Sequence, residues 1–343
     1  MKKLLNTFYV TLPDVYLSLD GENIVVKQNE KELKRVPLHN LEGIVTYGRQ
    51  GASPALMRKC ANAGISLTFM TEYGRFMAGI VGEERGNVLL RRTQYRIADD
   101  EAKCVDITQN ILIGKLYNSR WVLERTIRDH ALRVDVEKVK RAAQQINESI
   151  DLVRDAKSAG ELFGIEGEAA TRYFSVFDEM ILSNKEDFFF RKRSRRPPLD
   201  NVNALLSFVY TLLANDVASA LSAVGLDPFV GFFHRDRPGR RSLALDLLEE
   251  LRAPLADRFV LKLINMRQLV GADFVQKESG AVTLLDDSRR NLLNAWQTRK
   301  QETLIHPFLK EKIQWGMMSY AQALLLARHL RGDLDEYPPF LWK

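Results

Sequence analysis

The chain has 343 residues, which on a prior of roughly 150 residues per domain allows two domains that each bury a core. Hydrophobic residues make up 45% and charged residues 27%, the balance of a folded globular chain, which excludes wholesale disorder, a collagen-like repeat and membrane integration. Lysine and arginine outnumber aspartate and glutamate by 50 to 44, a net charge of +6 that suits an anionic partner without specifying one.

From Phe8 to Val81 the chain reads as short strands: Phe8 to Leu12, Tyr16 to Leu19, Ile24 to Val26, Leu33 to Val36 and Ile44 to Thr46, with Asp20-Gly21 as a turn pair. A helix interrupts them, with Ser53 as its N-cap, Pro54 as its first residue and Gly64 as its stop. Ile65 to Met70 and Phe76 to Val81 resume the strand pattern around a turn near Gly74. After about residue 90 the period becomes helical, with Ile111, Leu112, Lys115, Leu116, Trp121 and Val122 on one face. A long polar helix is expected over 131–158, and others over 165–183, 201–224, 242–270 and 309–331. The expected fold class is therefore α+β, a small N-terminal β domain over residues 1–90 followed by a larger all-α-helical domain over 91–343.

No run approaches the about 18 uncharged apolar residues of a membrane span. The opening MKKLLNTFYVTLPD has no cleavage pattern, so the expectation is a cytoplasmic protein with no membrane partner. Cys60 and Cys104 have no CxxC partner and read as ordinary thiols, neither a disulfide framework nor a zinc site.

Charge is concentrated between Arg191 and Arg241, where nine basic residues face Asp200, Asp216, Asp227 and Asp236, nine minus four, or +5. RKRSRR, from Arg191 to Arg196, reads as an exposed loop, because five cations in six residues repel one another in any packed element. Three weak signals stand near it. Glu166 lies between Gly164 and Gly167, where a missing side chain lets a ligand approach, although acidic residues also favour a helix's first turn. His234 ends an apolar stretch among arginines, as a metal ligand or as a satisfied partner of Asp227 or Asp236. Ser242 reads as the cap of LALDLLEELR, which places Asp246 and Glu249 on one face, either as cation ligands or as charges partnered by Arg252. Carboxylate, imidazole and carboxylate among guanidinium groups suit phosphoryl transfer at a hard divalent cation, whereas no HExxH or second nearby histidine supports a zinc hydrolase.

The segments GIEGEAATRYF at 164–174, LDNVNALLSFVYTLLAND at 199–216, GLDPFVGFFHRDRPGRRSLALDLLEELR at 225–252 and FLK near 308 resemble the CRISPR-associated integrase and endonuclease family numbered one among the Cas proteins. The opening YVTLPDVYLSLDGENIVV and LHNLEGIVTYG are also similar, and the overall pattern looks most like type I-C. The resemblance implies a β-sandwich-like N-terminal domain that makes the homodimer and a helical catalytic domain holding Mn²⁺ or Mg²⁺. It places Glu166, His234 and Glu249 as catalytic metal ligands, with glutamate at a third position where many relatives carry aspartate. Asp246 falls in a supporting or alternative ligand position, Glu250 competes for either role, and Tyr173 and Asn203 lie in matching motifs as support. Arg191, Lys192, Arg193, Arg195, Arg196, Arg235, Arg237, Arg240 and Arg241 are then expected to neutralise DNA phosphates. The implied partners are a DNA fragment, the CRISPR array and a small second Cas protein in a heterohexamer. The implied reaction is metal-assisted attack of DNA 3′ hydroxyls on phosphodiesters of the repeat. A branched-DNA repair nuclease and a non-catalytic DNA-binding scaffold are the alternatives.

Overall fold

The computed structural model describes residues 7–10, 12, 14–41, 43–48, 50–70, 76–80 and 88–343. The opening residues and the turn expected near Gly74 lie outside these. The chain divides into two compact units, residues 1–85 with 289–302, and residues 86–288 with 303–343.

In the first unit, β1 (Thr7–Val10), β2 (Tyr16–Asp20), β3 (Asn23–Gln28), β4 (Lys31–Pro37) and β5 (Gly43–Tyr47) precede helix α1 (Pro54–Ala63), which β6 (Ser66–Met70) and β7 (Phe76–Ile80) follow. β2, β3 and β4 form an antiparallel meander. The other sheet has the order β1-β5-β6-β7, with β1, β5 and β6 parallel and β7 antiparallel. The parallel β5–β6 pairing requires a crossover, and α1 supplies it. Ser53 caps α1 as expected, its hydroxyl accepting from the Leu56 amide at 3.2 Å, and Gly64 ends the helix at φ 68°. Leu17, Ile24, Ile44, Leu56, Cys60 and Leu67 are buried together as the core of this unit. Cys60 is a free thiol, and burial pushes it up to about 11, far from the reactive range.

The second unit is built on α2 (Val88–Ala98), α3 (Glu101–His130), α4 (Val136–Asp155) and α5 (Ala159–Ser175). Next come α6 (Asn201–Ala223), α7 (Ser242–Leu251), α8 (Arg258–Asn265) and, after the short hairpin β8 (Phe274–Gln276) and β9 (Val282–Leu284), helix α9 (Asp286–Gln301). Most of α9 groups with the first unit. A second hairpin, β10 (Thr303–Ile305) with β11 (Lys312–Gln314), precedes α10 (Met318–Leu330). These hairpins are what the expectation of an entirely helical C-terminal region missed. Three residues per strand leave too short a pattern for alternation to register.

Caps explain most boundary differences. The expected helix 131–158 begins only at Val136, because Asp135 accepts from the Lys138 amide, and α3 runs to His130 instead. α4 is amphipathic rather than polar throughout, with Val139, Ile146, Ile150 and Val153 buried. Helix α5 starts six residues earlier than expected, at Ala159 rather than 165, because Ser158 caps it. Glu166 is therefore mid-helix, and the first-turn dipole reading of that residue falls away. The expected helix 242–270 is broken by a π-helical segment, Arg252–Asp257, containing Pro254, whose missing N–H interrupts the regular ladder. Helix α6 is long and apolar enough to cross a membrane despite Asn201 and Asp216, and 56% of its apolar window is buried within the fold.

Candidate active site

Four elements of the second unit converge. Helix α3 contributes Lys115, α5 contributes Glu166, α7 contributes Asp246 and Glu249, and the loop between α6 and α7 contributes His234. The Lys115 ammonium pairs with Glu166 Oε1 and stands 2.8 Å from Glu249 Oε2. Arg252 Nη2 holds the other oxygen, Glu249 Oε1, at 3.0 Å. Glu249 is buried, and the Lys115 ammonium is the positive charge that faces its Oε2. Burial alone would raise the Glu249 carboxyl, but Arg252, Lys115 and His234 outweigh it and hold the group down at about 2. The two carboxylates thus converge on one cation.

His234 is held from behind. Asp246, with no exposure, accepts from the backbone amides of Phe232 (2.7 Å), Phe233 (3.0 Å) and His234 (2.9 Å), and its Oδ1 lies 2.7 Å from the His234 ring Nδ1. An acceptor already serving three amides makes Nδ1 a ring donor, so that in the neutral imidazole the free lone pair is on Nε2, the arrangement a ligating or proton-accepting ring needs. Asp246 is thereby consumed in orienting the ring. Neither residue proposed as the histidine's neutral partner takes that place, since Asp227 accepts from the Tyr95 hydroxyl and the Phe229 amide, and Asp236 from Gly231. Phe233, next to His234, stacks on Phe163 of α5 with ring centroids 4.2 Å apart.

Glu250 points the other way. It takes hydrogen bonds from Tyr337, Gln322 and the Phe340 amide, and burial, opposed by these donors, pushes it up to about 8. It fastens the C-terminal segment rather than competing for a cation. Ser242 is not the cap of α7 but its first residue, and its hydroxyl donates to the Arg235 carbonyl at 3.2 Å. Gly164 and Gly167 face open space on the exposed side of α5 beside Glu166, where a Cβ would meet nothing within 4 Å.

Tyr173 and Asn203 both brace this centre from a distance. The Tyr173 hydroxyl donates to Asp257 at 3.0 Å and that of Tyr210 donates to the same carboxylate at 2.5 Å, while Arg252 lies over the Tyr210 ring at 5.0 Å. Asn203 accepts from Arg193 at 2.6 Å and from the Ser194 amide at 3.0 Å, pinning the basic loop. Arg193 therefore turns inward, over the Tyr210 ring and onto Ser207, and Arg241 donates to Asn215 at 2.9 Å. Arg191, Lys192, Arg195, Arg196, Arg235 and Arg237 are exposed, and Arg240 is half-buried.

Burial pushes the Asp257 carboxyl up to about 6 against the two tyrosine hydroxyls that favour its ionised form. A carboxyl raised in the folded state stabilises the fold fully only below its unfolded value, so this contribution is lost as pH climbs from about 4 to about 6, roughly 3 kcal/mol in all. Asp257→Asn is expected to remove that slope, seen as a smaller difference between urea midpoints at pH 4 and pH 7. A wild-type slope in the variant would show that Asp257 does not bind the proton.

Sequence reasoning missed Lys115, Asp257 and Tyr210. Lys115 had a signal, a lysine inside the apolar stripe of a helix, which has to be partnered if buried. Among the described residues no three histidine, cysteine or acidic side chains stand together at ligand spacing, and the Lys115 ammonium takes the position between Glu166 and Glu249.

A small β-rich unit and a helical unit whose Glu166 and Glu249 meet on the Lys115 ammonium, with the His234 ring oriented by Asp246, define the class of protein. Residues 8–298 match the family described as CRISPR associated protein Cas1, and the chain belongs to that family. It is 50% identical over 343 residues to the CRISPR-associated endonuclease Cas1 1 of Chlorobaculum tepidum, covering 100% of both chains. A casposase bound to integration product shares the fold with TM-score 0.84 at 22% identity, over 99% of this chain and 95% of that one. A chain of a Cas6-RT-Cas1 complex with Cas2 does so with TM-score 0.83 at 23% identity, over 100% of this chain and 36% of that one. At such identities these two structures speak to the fold alone.

Proposed function

We propose that the protein is a divalent-cation-dependent DNA endonuclease and integrase of CRISPR adaptation, joining 3′ hydroxyl ends of short DNA fragments into the repeat array by transesterification. The observation that carries the reading is the convergence of Glu166 and Glu249, from two different helices, on one positive charge, with Glu249 buried. That donor set fits Mn²⁺ or Mg²⁺, hard cations that take carboxylate oxygens, with His234 Nε2 as the nitrogen ligand. When bound, such a cation would neutralise charge on the oxygens of the phosphodiester whose phosphorus is attacked.

The chain's own residues do the rest. Arg252 keeps Glu249 ionised, Asp246 fixes the ring so that Nε2 is presented, and Lys115 holds Glu166 and Glu249 together where the divalent cation would take its place. The exposed Arg191, Lys192, Arg195, Arg196, Arg235 and Arg237 neutralise the DNA backbone, which confers affinity and salt dependence with little sequence information. The names of the relatives, an endonuclease, a casposase on its integration product and an assembly with Cas2, support this reading and a small second Cas protein as partner. In it the N-terminal β domain, residues 1–90, makes a homodimer, residues 91–343 form the catalytic domain, and two dimers flank the Cas partner as a heterohexamer in the cytoplasm.

The test incubates the protein, with and without its small Cas partner, with Mn²⁺ or Mg²⁺, a fluorescent DNA duplex and a supercoiled plasmid bearing a repeat array. Metal-dependent transfer of label into the plasmid is expected, abolished by Glu166→Ala or His234→Ala with duplex affinity kept within a few fold. Full activity in either variant sinks the assignment. Cutting without joining would indicate a branched-DNA repair nuclease, and binding alone a scaffold.

A further inference from the structure

Residues 227–241, between α6 and α7, contain no helix or strand, so their backbone groups must find partners elsewhere. Asp246 takes the middle of this loop, residues 232–234. At its exit Ser242 donates to the Arg235 carbonyl, and the amides of Leu243 and Ala244 donate back to Pro228 at 3.1 and 3.3 Å. Its entry is gripped from a distant element. Gln94 of α2, with no exposure, donates through Nε2 to the Asp227 and Val230 carbonyls, each at 2.8 Å, and accepts at Oε1 from the Asp227 amide at 2.9 Å. Its neighbour Tyr95 donates to Asp227 Oδ2 at 2.9 Å, while Asp227 Oδ1 takes the Phe229 amide at 2.8 Å.

A single buried amide thus spends both donors and its acceptor on one turn of the histidine loop. The next residue is Gly231, and a Cβ there would lie 2.7 Å from Asp246 Oδ2 and 2.8 Å from Ser242 Cβ. Between the turn that Gln94 grips and the carboxylate that holds His234 there is therefore no slack, and a shift at Val230 passes to the imidazole. We propose that Gln94 is a positioning residue for His234, the fastening that fixes the loop's entry so that Asp246 meets the ring in one orientation. This rests on the catalytic role proposed for His234. Misplacing a reacting group by about 1 Å costs on the order of a hundredfold in rate, so a residue that touches no substrate can still govern turnover.

The experiment uses the full-length protein, labelled with ¹⁵N at histidine and free of metal, with His234→Asn to assign the ring signal. Gln94→Met keeps the side chain's length and removes its three hydrogen bonds, and Val139→Ala in α4 serves as a control for lost stability. In Gln94→Met the His234 ring signal is expected to shift or broaden while the other histidines stay in place. Turnover at saturating DNA should fall at least about tenfold, with the duplex Kd within about twofold. Val139→Ala, at an equal or larger loss of Tm, should move neither. An unmoved His234 signal in Gln94→Met, or a loss of turnover no larger than the control's, overturns the proposal. Should Gln94→Met not fold, Gln94→Glu keeps the length and the Oε1 acceptor but loses the Nε2 donors to the Asp227 and Val230 carbonyls, and an unmoved His234 signal there overturns it equally. If the wild-type protein joins no DNA, the functional reading fails, while the ring spectrum still decides whether Gln94 positions His234.

Discussion

Glu249→Ala is expected to abolish DNA cutting and joining and, unlike substitutions at the rim of the site, to lower the stability of the fold by about 3–5 kcal/mol. Its side chain is 3% exposed and faces Arg252 at 3.0 Å and Lys115 at 2.8 Å, so its removal leaves two cations with an acidic partner fewer in a desolvated place. The Lys115 ammonium keeps Glu166, but the half-buried Arg252 guanidinium loses the partner that raises its pKa most against the desolvation that lowers it. Glu166, 22% exposed, offers the contrast. Glu166→Ala should lose the chemistry with a much smaller stability change, because water reaches the vacated ammonium. Urea unfolding of the two variants, measured beside the joining assay, separates these effects. Equal stability of Glu249→Ala and the wild type would mean that the pair is not desolvated and that Lys115 and Arg252 find solvent. The acid limb gives the same interaction a second reading. A carboxyl held at about 2 stabilises the fold fully above its unfolded value and loses that contribution as pH falls towards 2, so the acid-induced loss of stability should be shallower in Glu249→Ala.

Gly231→Ala should inactivate the protein with the addition of one methyl group. Its Cβ would stand 2.7 Å from Asp246 Oδ2, 2.8 Å from Ser242 Cβ and 2.9 Å from the Ser242 carbonyl carbon. None of these is the free end of a flexible side chain. Asp246 is tied to three amides and the His234 ring, and Ser242 begins α7. Relief has to come from displacing the loop that carries the imidazole, at a cost of about 1–3 kcal/mol typical of overpacking. The expected outcome is loss of joining with retained helical circular dichroism and a lowered Tm. Wild-type turnover in Gly231→Ala would show that the loop relaxes freely, and that close packing does not set the position of His234.

The residues of this protein differ in how openly they announce their work. The Ser53-Pro54 start and Gly64 stop of α1 are local chemistry and stand in the sequence as they stand in the structure. The carboxylate and imidazole candidates were also visible, since acidic residues flanked by glycine or spaced three apart, and a histidine among arginines, are unusual enough to be noticed. Which of them act together was not. Asp246 and Glu249 share a face of α7 by spacing, yet one turns to the His234 loop and the other to α3 and the π-turn. Glu250, one residue on, joins the C-terminal segment instead. Arg193 reads as a surface cation because its neighbours in sequence repel, and Arg241 as a phosphate contact by resemblance, but Asn203 and Asn215 draw them inward.

By itself, then, the sequence determined what depends on near neighbours: the change from strand to helical period after about residue 90, the cap and stop of α1 and the apolar stripes, and it named 166, 234 and 249 as candidates. The tertiary structure alone decided what depends on segments far apart in the chain. It brought Lys115 between two glutamates from α5 and α7, closed the Asp257 carboxyl under two tyrosines, and set Gln94 against a turn 133 residues away. The physical reason is that a buried polar group is stable only with a partner, and local spacing does not say which distant residue the packing of helices will bring within 3 Å.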